Sequence, residues 1–510
     1  MLFAAADGCQ QIVIRRVGAP VPGGFLGRKI ENGGSFDAVG ALCRIGCMET
    51  IKVDVAVIGG GEAGIAAAVR AAQLGAQVGL VERSAQLGGA CVATGTLPSK
   101  TFSISTGMLE VVKKARNFGI KVDGPVSLDF KEVVAYRNKL TKCDVGLIQS
   151  HLRAHHVRLI QGRASFTAPD RLRVSKEDGS EDIVESPRTI IAAGSHPLSL
   201  PALPIDGTTV ITTDEIIALS ACPARVIIIG AGIIGCEYAF IFRAFGAEVT
   251  LIEKIDHVLL GQDRDVVAAI EKELKRRGVG LFLGTTVAAC APSPDGGRQV
   301  TTAAGRAFTD DLVLVCVGRR ASTEGLGLET AGVALGDRGQ LLVDEFLKTT
   351  TPGIFAAGDV LGRRMQSSTA ILEGAVAAEN AMGGSRTIDE RFVPAGIYTQ
   401  PEIGSVGLTE DEAVENGIPH VIGICSYAAL VKACSLQTFT PGFIKMLFDP
   451  SSHKVIGAHI LGAESAELIH HLVLAMRTGA TAEDFIYSIY HHPSLSEGFR
   501  DAARDALSKM

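Results

Sequence analysis

Val53-Asp54-Val55-Ala56-Val57-Ile58-Gly59-Gly60-Gly61-Glu62-Ala63-Gly64 joins a nearly unbroken apolar run to glycines at positions 59, 61 and 64. An apolar run of that length suits a strand buried on both faces. A helical pattern continues to Gly75, and a second strand, Gln77 to Val81, ends on Glu82. The glycines allow a tight turn and close approach of the backbone to a pyrophosphate, which then rests on the helix N-terminus. Glu82 is placed to accept hydrogen bonds from an adenosine ribose. A solitary G-x-G-x-x-G is weak evidence, but strand, turn, helix, strand and acid in register specify a dinucleotide-binding unit.

The same unit recurs. Val226-Ile227-Ile228-Ile229 leads into Gly230-Ala231-Gly232-Ile233-Ile234-Gly235, a helix to about Gly246, and a strand ending on Glu253. The same twenty-three positions separate Gly59 from Glu82 and Gly230 from Glu253. Two such units in one chain imply two dinucleotides bound, or one held and one exchanging.

A chain of 510 residues exceeds what one core organises, so three or more domains are expected. Its 47% hydrophobic and 20% charged content describes a well-cored α/β protein. A net charge of −6 argues against nucleic acid or an anionic membrane as the main partner. No apolar run is long and clean enough to span a bilayer. Eleven cysteines without regular spacing read as reduced thiols, hence a cytoplasmic protein. Residues 1–47 lack periodicity, and Asp7, Glu31 and Asp37 count against a transit peptide. Translation from Met48 is the simpler account, and Cys43 and Cys47 carry no catalytic weight.

A third segment bears on chemistry: Gly88-Gly89-Ala90-Cys91-Val92-Ala93-Thr94-Gly95-Thr96-Leu97-Pro98-Ser99-Lys100-Thr101. Together with Ile191-Ala192-Ala193-Gly194-Ser195, Cys316-Val317-Gly318-Arg319-Arg320 and Thr350-Thr351-Pro352-Gly353-Ile354-Phe355-Ala356-Ala357-Gly358-Asp359, it resembles the flavin-dependent pyridine nucleotide-disulfide oxidoreductases. That group holds dihydrolipoamide dehydrogenase, glutathione reductase, mercuric reductase and soluble transhydrogenase. Its redox segment carries two cysteines five positions apart before Pro-Ser-Lys. Here Cys91 keeps the first place and Thr96 takes the second. A hydroxyl forms neither a disulfide nor a flavin-facing thiolate. The pattern is most similar to soluble pyridine nucleotide transhydrogenases, and next to dihydrolipoamide dehydrogenase.

The resemblance implies an α/β architecture of two Rossmann-like domains, for FAD and NAD(P), plus a C-terminal α+β dimerisation domain. The expected divisions are 1–50 as an extension, 51–200 and 321–388 as the FAD-binding domain, 201–320 as the NAD(P)-binding domain, and 389–510 for dimerisation. FAD is expected on Gly59, Gly61, Gly64, Glu82, Gly89, Lys100, Gly194, Gly358 and Asp359. The nicotinamide nucleotide is expected on Gly230, Gly232, Gly235, Glu253 and Gly318. Lys100 is expected to pair with Glu237 beside the reactive ring edge, where a cation stabilises an anionic reduced flavin. No metal site is expected.

After about Asp389 the chain reads as a separate unit. Thr409-Glu410-Asp411-Glu412 is a capping box, and Glu464 to Thr478 is an amphipathic helix ended by Gly479. In His491-His492-Pro493-Ser494-Leu495-Ser496-Glu497, the resemblance makes His492 and Glu497 a general base serving the partner subunit of a homodimer. Equally, Ser494-x-x-Glu497 is itself a capping box pattern for the last helix. Three readings follow. The first is hydride exchange between NAD(H) and NADP(H) through FAD without a redox disulfide. The second is an NAD(P)H-dependent reductase of a quinone, metal or thiol acceptor, in which Cys91 and His492 act. The third is a non-catalytic FAD-binding protein, disfavoured because both nucleotide sites look complete.

Overall fold

The computed structural model describes residues 48–294, 296–437 and 442–510. Residues 1–47, with Cys43, Cys47 and nearly all of the expected extension, lie outside the described residues. Thr50, assigned to that extension, already belongs to a strand: Thr50–Lys52 pairs in parallel with Glu181–Glu185.

Two parallel five-stranded sheets carry the repeated pattern. In the first, the spatial order is Ile354–Ala356, Thr189–Ile191, Val55–Ile58, Val78–Glu82 and Arg158–Gln161. The predicted strand at Val53 starts two residues later, because Asp54 is a turn residue that accepts the Gln77 amide at 2.8 Å. In the second, the order is Val210–Ile211, Leu312–Val315, Arg225–Ile229, Glu248–Ile252 and Gly280–Phe282. The central strands are buried along Val55–Ile58 and from Val226 to Ile229, which is why they read as apolar runs.

The helices that follow the glycine turns are Glu62–Gln73 and Ile233–Ala244. Glu62–Gln73 presents small residues to Ser367–Ala381, a helix distant in sequence. The approach is so close that a Cβ on Gly374 would run into the Ala63 carbonyl. This contact brings the segment after Gly358 onto the first turn. Passage between the halves runs through a short antiparallel ribbon, Ser195–Pro197 with Arg319–Ala321.

The C-terminal part is an antiparallel sheet ordered Ala395–Ile397, Ile403–Gly407, Val455–Leu461, Phe443–Phe448 and Val421–Ser426. The helices Ser465–Thr478 and Glu497–Leu507 cover it around a core that includes Tyr427, Phe448 and Phe499. Thr409 and Glu412 form the predicted capping box on Glu410–Glu415. Among the described residues no helix is long and apolar enough to cross a membrane.

Candidate functional site

Both glycine turns fold tightly against neighbouring backbone. Gly59 has φ +104°, and a Cβ there would meet the Ala192 carbonyl; a Cβ on Gly64 would strike the Gly59 carbonyl. Gly61 bridges to Gly88, and an added Cβ would sit 3.7 Å from Gly89 Cα. Glu82 is buried, and its carboxylate accepts the Gly60 amide at 2.5 Å and the Ser84 amide at 2.6 Å. Beside it opens a cavity of about 220 Å³ lined by Gly59, Glu82, Arg83, Gly162, Ala193 and His196. The second turn repeats the arrangement. A Cβ on Gly235 would strike the Gly230 carbonyl, whereas Gly232 and Gly318 face open space. Glu253 accepts from Ala231 N at 2.7 Å and Ile255 N at 3.1 Å.

Three segments remote in sequence converge on Asp359. Ser195 Oγ donates to Asp359 Oδ2 at 2.6 Å, and Arg319 Nε donates to Ser195 Oγ at 2.8 Å. Gly194, Gly318 and Gly358 all take positive φ, so the backbone bends where these segments meet. Behind Asp359, Glu373 accepts the Gly358 amide at 2.7 Å, and burial pushes its carboxyl up to about 7. Gln366 Oε1 and Thr369 Oγ1 are buried without a protein partner. Unpaired buried acceptors and donors are costly and call for a ligand. The glycine cradle, the cavity at Glu82 and these orphaned atoms together fit a dinucleotide flavin.

Lys100 and Glu237, separated by 137 residues, meet as predicted. Lys100 Nζ lies 2.8 Å from both carboxylate oxygens. The pairing holds because the helix Thr96–Lys113 lies against Ile233–Ala244. Tyr398 completes the group: its amide donates to Glu237 Oε1 at 2.8 Å, and its ring lies 4.8 Å from Lys100 Nζ. Nothing in the sequence around Tyr398 marks it, since the contact depends on how the C-terminal sheet docks.

Cys91 sits half-buried among Thr96, Ser367 and Glu62. Thr96 Oγ1 lies 3.4 Å from Ser367 Oγ. Burial pushes the Cys91 thiol above its ordinary range; hydrogen bonds from Ser367 and Thr96 pull it down, and the Glu62 carboxyl raises it further. Glu62 itself is raised, first by burial. Such surroundings favour a neutral thiol, the reverse of what activates a cysteine. Ser367 and Glu62 were not singled out by sequence; Glu62 stands inside the glycine motif, between the glycines that the motif specifies.

His492 and Glu497 form a dyad, with Nδ1 at 3.1 and 3.2 Å from the two carboxylate oxygens. Glu497 is held below the ordinary carboxylate range, first by the Ser494 amide and further by His492. The alternative capping role is only half realised: Ser494 N donates to Glu497 Oε2 at 3.0 Å, but the helix begins at Glu497 with Ser496 before it. His492 is largely exposed. Among the described residues no hydrogen bond or ion pair joins this dyad to Cys91 or Lys100 in the same chain. Cys143 and Cys434 are exposed and Cys236 and Cys425 buried, all as free thiols.

Comparison with known proteins identifies the family. Residues 53–374 match the family model described as pyridine nucleotide-disulphide oxidoreductase, and residues 393–503 match its dimerisation domain. The mitochondrial dihydrolipoyl dehydrogenase of Dictyostelium discoideum is 35% identical over 467 residues, covering 90% of this chain and 95% of that protein. The dihydrolipoyl dehydrogenase of Halobacterium salinarum is 35% identical over 462 residues, 89% of this chain and 96% of that one. Among solved structures, LpdA of Mycobacterium tuberculosis superposes with a TM-score of 0.83 at 30% identity, covering 89% of this chain and 99% of LpdA. The HOCl-induced flavoprotein disulfide reductase RclA of Escherichia coli, as its Cu(II) complex, gives 0.80 at 27% identity with the same coverage. With two nucleotide turns, a flavin cradle and a dimerisation domain in the order these relatives share, the chain belongs to the FAD-dependent pyridine nucleotide-disulfide oxidoreductases.

Proposed function

We propose that this flavoprotein is a pyridine nucleotide transhydrogenase, exchanging hydride between NAD(H) and NADP(H) as a homodimer. The observation that carries the reading is Thr96, which stands where the family has its second redox cysteine, beside a Cys91 kept as a neutral thiol. FAD held by the glycine cradle would supply two-electron hydride-carrying chemistry. The chain supplies the rest. Gly59, Gly61, Gly64, Glu82, Gly89, Gly194, Gly358 and Asp359 hold the flavin nucleotide. Gly230, Gly232, Gly235, Glu253 and Gly318 receive each nicotinamide nucleotide in turn, so a ping-pong pattern is expected. Lys100, steadied by Glu237, provides the fixed positive charge for the reduced state. Exposed apolar side chains on two regions, Ile104, Met108 and Val111 and then Leu474, Tyr487 and Ile489, support pairing with a second copy.

The test is stopped-flow reduction by NADH, followed by mixing with NADP⁺ or thio-NADP⁺. Expected are bleaching without a long-wavelength thiolate band, reoxidation by the second nucleotide, and poor turnover with lipoamide or glutathione disulfide. A long-wavelength band on two-electron reduction overturns the reading.

The His492–Glu497 dyad favours a second reading, because hydride exchange between nicotinamides needs no proton donor. A reductase whose acceptor takes up a proton uses such a pair. The relatives named dihydrolipoyl dehydrogenase point the same way. Loss of turnover with a quinone or thiol acceptor in His492→Ala, with nucleotide exchange absent from the native protein, selects it.

A further inference from the structure

The C-terminal sheet contains a buried cation that the site above leaves without a task. Lys445, on the strand Phe443–Phe448, has a fully buried side chain. Its Nζ lies 2.9 and 3.0 Å from the Asp263 carboxylate oxygens, 2.6 Å from Asp265 Oδ2 and 2.7 Å from Glu410 Oε2. Asp263 is equally buried and caps the helix Arg264–Arg276 by accepting the Asp265 amide at 3.0 Å. Arg264 pairs with Asp411 at 2.5 Å and Glu410 at 3.7 Å. In register with Lys445 stands His459, buried, with Nε2 on the Leu408 carbonyl at 2.9 Å. One ammonium thus joins a strand of the C-terminal sheet to a helix start in the second nucleotide unit.

Asp263 closes the segment that Glu253 opens. Within that segment Leu259 N donates to the Ala231 carbonyl at 2.8 Å, and Gln262 N to Leu259 O at 3.0 Å. Ser405 of the C-terminal sheet donates to Gln262 Oε1 at 3.0 Å. Glu253 in turn holds Ala231 N and Ile255 N. The glycine turn and Glu253 are thus hydrogen-bonded to a segment that runs through Leu259 and Gln262 to Asp263, where Lys445 grips its end. A buried charge cluster contributes little that apolar packing would not supply. What it adds is a fixed geometry between the parts it joins.

Resting on the reading that the second glycine turn receives the nicotinamide nucleotide, we infer that Lys445 is a positioning residue for hydride transfer. By gripping Asp263 it sets the placement of Gly230–Gly232 and Glu253, with Glu237 on the helix that follows them, relative to Lys100 and the glycine cradle at Gly59. A displacement of about 1 Å in such a turn costs on the order of a hundredfold in rate.

The experiment follows reduction of the flavin-loaded protein by NADH in Lys445→Met, Lys445→Arg and Glu410→Gln. The flavin spectrum and reduction by dithionite are expected to stay unchanged in all three. For Lys445→Met the limiting rate of reduction by NADH falls on the order of a hundredfold. Lys445→Arg recovers part of it. Glu410→Gln keeps Lys445 on two carboxylates, remains interpretable if Lys445→Met does not fold, and shows a smaller loss in the same rate. Native limiting rates in Glu410→Gln, or in a folded Lys445→Met of lowered melting temperature, overturn the proposal and leave a purely structural cluster. Failure of native protein to react with NADH at all refutes instead the reading of the second turn. Reduction without onward exchange refutes only the transhydrogenase assignment.

Discussion

Replacing Lys100 with Met removes one half of an ion pair whose geometry fixes the expected cost. Lys100 Nζ is 2.8 Å from both Glu237 oxygens, and the two side chains are 21% and 3% exposed. At that separation the attraction is about 6 kcal/mol for an effective dielectric of about 20. Removing both charges from water consumes most of it, so the net worth of the pair is far below the cost of breaking it. Lys100→Met leaves Glu237 with the Tyr398 amide as its remaining donor, and the loss is about 3–5 kcal/mol. Glu237→Gln costs less, about 1–2 kcal/mol, because the partly exposed ammonium still reaches water and the Tyr398 ring. The double variant, neutral at both places, is expected to be more stable than Lys100→Met alone. Urea unfolding followed by far-ultraviolet circular dichroism, at matched flavin occupancy, gives all four corners of the cycle. Additivity of the single effects to within about 0.5 kcal/mol refutes the argument, since it means the two groups do not share an energy.

Further outcomes follow from the same geometry. Cys91→Ser is expected to leave NADH-driven nucleotide exchange unchanged, and Thr96→Cys to introduce a long-wavelength band on reduction; abolition of exchange by Cys91→Ser restores thiol chemistry as the mechanism. Glu253→Ala frees two backbone amides and is expected to weaken NADH binding about tenfold, read from the concentration dependence of flavin reduction by NADH; unchanged dependence contradicts the role. Glu373, lifted by burial from 4.5 to about 7, keeps in the folded state a proton that the unfolded chain has released. The native state then binds more protons between those values, so this group's stability contribution is full below 4.5, declines as pH rises, and is lost above about 7, a change of about 3 kcal/mol. Glu373→Gln should flatten that part of the urea-midpoint profile, and identical profiles for the two proteins contradict the assignment.

The two glycine turns were legible because their demands are local: a Cβ at Gly59 or Gly64 collides with backbone a few residues or one strand away. Strand ends came out within a residue or two, with Glu248–Ile252 stopping one short of Glu253. Lys100 with Glu237 was reachable only through family likeness, and the contact is there. Tyr398, Ser367 and Glu62 were not legible, because each reaches the site through packing between elements far apart in sequence. Lys445 has three carboxylate partners that come from two other segments, so its burial is set by packing remote in sequence. A sequence displays what a residue requires of its neighbours in the chain more readily than what distant segments require of it.

The ribbon of Ser195–Pro197 against Arg319–Ala321 has a consequence for how this architecture changes over time. Entry to and exit from the second nucleotide unit lie side by side, as at the neck of an inserted module, the arrangement under which insertion and exchange of whole units are best tolerated. A lineage can therefore swap the second glycine-turn unit while the flavin cradle keeps its own contacts, provided the replacement supplies an acid at Asp263 and a partner for Lys100. Recombination at the neck thus changes one unit without stepwise rebuilding of the cradle.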